Sequence, residues 1–205
     1  MIKLSIKPHK PIILASASKI RSKILKNTGI EFTIKNPSID EENIKKKIAK
    51  KTVSNQAKIL ASAKALKISE NNPNTYVIGA DQICSINKMI FKKPLNIDNA
   101  INQLKRLSGK THKQTSAISL FYEGKKLWCH TEEALLTMYK LSENEIKNYL
   151  NIDKPFQSCG SYKFESYGHH LFSKVIGDSY TIQGFPLISL LRQLRKYKLY
   201  SLKNN

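Results

Sequence analysis

Residues 12 to 25, IILASASKIRSKIL, join a β-prone run, a turn of small hydroxylated residues and a basic helix start without a spacer. Ile12, Ile13 and Leu14 suit a buried strand, and Ala15, Ser16, Ala17 and Ser18 let the backbone turn tightly while offering hydroxyls and free amides. A chain that passes so quickly from strand to helix builds an α/β layer, with the turn at the end of the strand. Ser18 is placed to cap the helix. The unpaired amides and positive dipole end of that helix favour an anion, and Arg21, one turn in, adds a planar five-donor fork. Arg21 stands out because arginine is scarce: Arg21, Arg106, Arg192 and Arg195 are the only arginines among 35 basic residues. Taken alone, the segment also fits an ordinary capped helix.

The rest of the chain continues the alternation. Helices are expected over 18–27, 41–68 with a break near Thr52 to Ser54, 98–107 capped by Asp98, and 142–150, where Ser142 and Glu145 form a capping box. A last helix starts at Pro186, with Leu187, Leu190, Leu191 and Leu194 at core spacing. Strands are expected over 12–15, 75–80, 83–86, 114–121, 127–138 and near 175–183. With 205 residues and 40% hydrophobic content, the chain can bury a real core as one large domain or as two lobes sharing a sheet. No repeat or linker divides it, so residues 1–205 read as one domain, with a basic, frayed tail from about 198.

Cys84, Cys129 and Cys159 are odd in number and form no CxxC pair, which suits a reducing, cytoplasmic compartment and argues against a disulfide framework or zinc ribbon. No signal peptide or membrane span is expected. The net charge of +20 attracts polyanions, yet it is mostly lysine spread along the chain with abundant Ile and Asn, so specific nucleic-acid binding is not expected. The field helps an anionic substrate arrive.

Thr75 to Ile78 read as a central strand ending in Gly79, Ala80, Asp81 and Gln82, so that a carboxylate stands where the chain leaves the sheet. Asp81 could hold a divalent cation or take a proton from water. In Lys92, Lys93, Pro94 the proline fixes the backbone direction, and Lys93 could neutralise phosphate charge. Asp40 and Glu41 precede a lysine-rich helix bearing Lys58 and Lys64; with Asp81 they supply the carboxylates and ammonium groups that phosphoryl chemistry needs. Glu165, in CGSYKFES, is a further acidic candidate. His169 and His170 are adjacent, so on a strand they would face opposite ways, and no HExxH, GxSxG, Walker loop or GxGxxG occurs. His112 is expected to order a turn.

Taken together, ILASASKIR, IDEE, GADQ, KKP, LSGKTH, CGSYKFES and GFPL resemble, in order and spacing, the Maf family of nucleoside triphosphate pyrophosphatases over nearly the whole chain. The resemblance implies a mixed α/β fold with an elongated central sheet, flanking helices and two lobes around a cleft, similar to the inosine triphosphate pyrophosphatases. It implies hydrolysis between the α and β phosphorus atoms, giving a nucleoside monophosphate and pyrophosphate with Mg²⁺ or Mn²⁺, and a homodimer. Carried over, Asp81 is the catalytic proton acceptor, Glu41, Lys64 and Lys93 support catalysis, Asp81 and Glu41 hold metal, and Ser18 and Arg21 bind phosphate. Ile20, Gln82 and Glu165 fall at the positions that track base selectivity. Gln82 and Glu165 resemble the branch acting on 7-methylguanosine triphosphate, where a carboxylate favours the cationic methylated base. Ile20 departs from that branch, in which an aromatic is expected; Lys19 replaces a proline, and Phe91 and Lys92 replace a glycine-containing approach, so Lys92 competes with Lys93. The other reading is a nucleotide or nucleic-acid binding protein linked to cell division.

Overall fold

The computed structural model describes residues 5–202. In chain order the elements are β1 (Ile12–Ala15), α1 (Lys19–Lys26), β2 (Thr33–Lys35), α2 (Glu41–Ile48), α3 (Val53–Ser69), β3 (Tyr76–Ile86), β4 (Met89–Phe91), α4 (Ile97–Leu107), β5 (Thr111–Tyr122), β6 (Lys125–Met138), α5 (Glu143–Asp153), β7 (Phe172–Ile176), α6 (Ser179–Ile182) and α7 (Leu187–Lys196), with a 3-10 turn at Tyr167–Leu171 before β7. The seven strands form one mixed sheet in the order β2-β1-β3-β5-β6-β7, with β4 pairing β3. β1 runs parallel to both β2 and β3, whereas β3–β4 and β6–β7 are antiparallel. The fold is therefore the mixed α/β sheet that the sequence implies.

The chain divides into two compact units. The first holds the described residues up to Asp81, Ser116–Glu132 and those from Gly184 onward; the second holds Gln82–Thr115 and Glu133–Gln183. In the first unit Ile13, Ala15, Ala65, Val77 and Phe121 pack together, which joins β1 and β3 to the apolar face of α3. The second unit has its own core, built around Leu104, Leu107, Leu136, Met138, Leu150, Tyr162 and Phe172. Each unit thus buries enough apolar surface to hold its side chains in place.

Several expectations are met at the residue level. β1 begins and ends where expected, Ser18 accepts from the Arg21 amide at 3.4 Å, and Thr52 caps α3 after the break that separates it from α2. Ser142 and Glu145 form the reciprocal capping box.

Other expectations are corrected. Residues 75–80 and 83–86 are not two strands but the single β3, so Asp81 lies in the strand interior and not where the chain leaves the sheet. The small residues Gly79 and Ala80 do not end the strand, because its neighbours supply the ladder that a turn would have interrupted. α4 starts one residue earlier than expected and Asn96, not Asp98, caps it through a bond from the Asn99 amide. The late strand is displaced to Phe172–Ile176, and 179–182 is helical because Asp178 accepts from the amides of Tyr180 and Thr181. His169 and His170 lie on the 3-10 turn with ring centroids 4.3 Å apart. His112 is a buried residue of β5, not a turn residue. Beyond Lys198, Leu199 and Tyr200 are buried and the Leu199 carbonyl accepts from the His9 amide, so the chain is packed, not frayed, through Tyr200.

Candidate active site

In the first unit, three segments distant in sequence bring Glu41, Lys64 and Asp81 together. Lys64 Nζ donates to Asp81 Oδ1 at 2.7 Å and lies 2.9 Å from Glu41 Oε1. The approach is made possible by Gly79, two residues before Asp81: a Cβ there would stand 2.2 Å from the Ala61 carbonyl oxygen and 2.8 Å from the Ala65 nitrogen. With glycine the backbones of β3 and α3 almost touch, and Lys64, in the same stretch of α3, reaches Asp81.

Asp40 caps α2 by accepting from the Asn43 amide, which starts the helix at Glu41 and fixes the direction of that carboxylate. Lys45, one helical turn on, lies 3.3 Å from the other oxygen of Glu41 and 3.5 Å from Glu42. Burial acts to raise the pKa of Glu41, but the ammonium groups of Lys64 and Lys45 outweigh it and hold the carboxyl below the usual carboxylate range. Burial likewise opposes charge on Lys45, and Glu41 first, then Asp81 and Glu42, reverse it and raise that pKa. Glu41 and Lys45 are therefore both charged at neutral pH. Lys45 was visible in the sequence only as part of the run Lys45 to Lys47; its i,i+4 spacing from Glu41 was the signal for its role.

Arg21 is held by backbone carbonyls: Nε donates to Gly184 at 2.8 Å and Nη1 to Ala80 at 2.9 Å. It thus ties α1 to the residue before Asp81 and to the GFPL turn, where Gly184 has φ of +88°. Ser18 caps the same helix, and Ser16 accepts from the Ser18 amide at 3.2 Å. Ile20 is half-buried beside them in sequence.

The remaining predicted site residues belong to the second unit. Gln82 donates its amide to the Ile182 carbonyl at 2.6 Å. Lys92 and Lys93 are both exposed after β4, and Phe91 is buried in it. Glu165 is exposed on the turn before the 3-10 segment.

The model of the family described as Maf-like protein matches residues 11–197. The chain belongs to the Maf family. Within the family it is 42% identical over 191 residues to a protein of Legionella pneumophila strain Corby named nucleoside triphosphate pyrophosphatase, covering 93% of this chain and 96% of that one. A protein of Brucella abortus named 7-methyl-GTP pyrophosphatase is 42% identical over 191 residues, 91% of this chain and 96% of its own. Among solved structures, the Staphylococcus aureus Ham1 protein aligns with a TM-score of 0.41 and 15% identity over 92% of this chain and 100% of that one, a likeness too remote to bear on either fold or chemistry.

Among the described residues, no group of three or more His, Cys, Asp and Glu forms a metal cage. The donor set of this Maf protein nonetheless fits a hard divalent cation, because Mg²⁺ is commonly held by one or two carboxylates and substrate phosphates. Asp81 and Glu41 are two such carboxylates, brought to one ammonium group. No described helix is long and apolar enough to cross a membrane.

Proposed function

We propose that this Maf protein hydrolyses noncanonical or modified nucleoside triphosphates between the α and β phosphorus atoms, with 7-methyl-GTP its foremost substrate. The observation that carries the reading is the Glu41–Lys64–Asp81 network. It offers a carboxylate to accept a proton from water and cations to meet phosphate, gathered on adjoining elements of one unit.

In this reading Asp81 accepts the proton of the attacking water, Lys64 orients the carboxylate through the 2.7 Å bond, and Glu41 completes the acidic pair. Asp81 and Glu41 are the residues that would hold Mg²⁺ or Mn²⁺, which when bound neutralises phosphate charge. Ser18 and the start of α1 receive phosphate, Arg21 fixes the strand beside Asp81, and Lys93 stabilises the departing pyrophosphate, with Lys92 as its competitor. Base selectivity is assigned to Ile20, Gln82 and Glu165; the carboxylate of Glu165 favours a purine made cationic by N7 methylation. The name of the Brucella relative supports that choice. Family membership also leads us to expect a homodimer.

The test is a panel of nucleoside triphosphates with Mg²⁺ or Mn²⁺ and both products resolved. Monophosphate and pyrophosphate in equal amounts are expected, with the highest kcat/KM on 7-methyl-GTP. Release of orthophosphate, or nucleotide binding without turnover, would contradict the reading and favour a binding protein.

A further inference from the structure

We propose that Tyr149 and Asp153 on α5 are positioning residues that set base selectivity by fixing the turn on which Glu165 is presented. The proposal rests on the base-reading role given to Glu165 above. Glu165 is exposed, and an exposed carboxylate on a free turn discriminates poorly, because its conformational freedom must be lost on binding. Here the turn is held from one face of α5. The Tyr149 hydroxyl accepts from the Lys163 amide at 2.9 Å, and Asp153 Oδ1 accepts from the Ser166 hydroxyl at 2.6 Å. The Asp153 carbonyl accepts from Lys163 Nζ. Tyr149 and Asp153 are four residues apart, so they share a face of the helix, and their partners lie on both sides of Glu165.

The supports behind these contacts are stiff. Tyr149 and Asp153 are both buried. The Lys163 carbonyl accepts from the amides of Ser166 and Gly168, at 3.2 and 3.0 Å, and a Cβ on Gly168 would stand 2.3 Å from that same oxygen. α5 ends immediately after Asp153, where Lys154 adopts φ of +45° and its amide bonds the Leu150 carbonyl. Burial, countered by the Lys163 amide and reinforced by Asp153 and Glu165, keeps the Tyr149 hydroxyl protonated well into alkaline pH. The clasp holds the turn at Lys163, two residues before Glu165, and at Ser166, immediately after it.

Ser166→Ala removes the side-chain tether without touching the helix, and Asp153→Asn keeps an acceptor for Ser166 while discarding the charge. Steady-state kinetics of wild type, Ser166→Ala, Asp153→Asn, Glu165→Gln and the Glu165→Gln/Ser166→Ala double variant are measured on 7-methyl-GTP and UTP. Ser166→Ala is expected to raise KM for 7-methyl-GTP by roughly tenfold, the scale of one lost hydrogen bond, with kcat and the UTP parameters within about twofold. Asp153→Asn should lie between wild type and Ser166→Ala, and Ser166→Ala should add nothing to Glu165→Gln. An equal loss on both nucleotides, or full additivity with Glu165→Gln, overturns the positioning role. If Glu165→Gln shifts the ratio of the two substrates but Ser166→Ala does not, the proposal fails and base reading by Glu165 survives; if Glu165→Gln leaves the ratio unchanged, both fail together.

Discussion

Lys64 Nζ lies 2.7 Å from Asp81 Oδ1 with each side chain only 9% exposed, so a lysine of α3 and an aspartate from the interior of β3 form a buried ion pair. Such a pair contributes little net stability over an apolar replacement, yet breaking it strands a charge.

Replacing Lys64 by methionine should leave the carboxylates of Asp81 and Glu41 without their shared cation. We expect a loss of about 3 to 5 kcal/mol near neutral pH. The penalty is that of a buried carboxylate left without its 2.7 Å partner. Urea denaturation of the variant and the wild type at pH 7.5 measures the loss.

Gly79→Ala tests the close approach that creates the pair. The added methyl meets the Ala61 carbonyl at 2.2 Å, so α3 must shift away from β3. Destabilisation of about 1 to 3 kcal/mol is expected, with activity falling further than stability because Lys64 moves off Asp81. Thermal denaturation and initial rates on the same preparation separate the two.

Arg21→Lys should not rescue Arg21. One ammonium cannot reproduce donors aimed 2.8 Å from the Gly184 carbonyl and 2.9 Å from that of Ala80. Loss of one charge-assisted bond costs about 1.5 to 3 kcal/mol, and a drop in kcat beyond any rise in KM would show that Arg21 acts by holding the strand beside Asp81. A rise in KM alone would assign it to phosphate binding.

How much of this was legible in the sequence depends on the range of the signal. Ser18, Thr52 and the Ser142 and Glu145 box were readable because a cap is decided within four residues. The alternation around 12–25 and the motif series likewise led to the α/β sheet and to Asp81, Glu41, Lys64 and Arg21. The continuity of β3 was not readable: Gly79 and Ala80 mimic a strand end locally, and only the neighbouring strands and α3 show why small residues sit mid-strand. Equally hidden were the burial of His112 and the clasp of α5 on the turn of Glu165, since both pair residues ten or more positions apart.

His112 gives the second unit a pH dependence of its own. Gln114 Nε2 donates to the Tyr162 hydroxyl at 2.7 Å, that hydroxyl and His112 Nε2 share a hydrogen bond of 2.8 Å, and burial lowers the histidine pKa to about 4. The unfolded state binds the proton near pH 6.5 and the folded state only near 4, so the stabilisation is complete above 6.5 and declines as pH falls between these values. The interval corresponds to about 3 kcal/mol. His112→Gln keeps a hydrogen-bonding side chain for Tyr162 without the titration, and its denaturation midpoint should vary less than that of wild type from pH 6.5 to 4.

The most direct measurement is the rate of pyrophosphate release from 7-methyl-GTP by wild type and Asp81→Asn, with circular dichroism and thermal melting confirming that both are folded. Loss of the positioned base should lower kcat by about 10² to 10⁴ while the amide keeps the shape of the side chain. A folded Asp81→Asn protein that releases pyrophosphate within tenfold of the wild-type rate would contradict the assignment of the reaction to the Glu41–Lys64–Asp81 network.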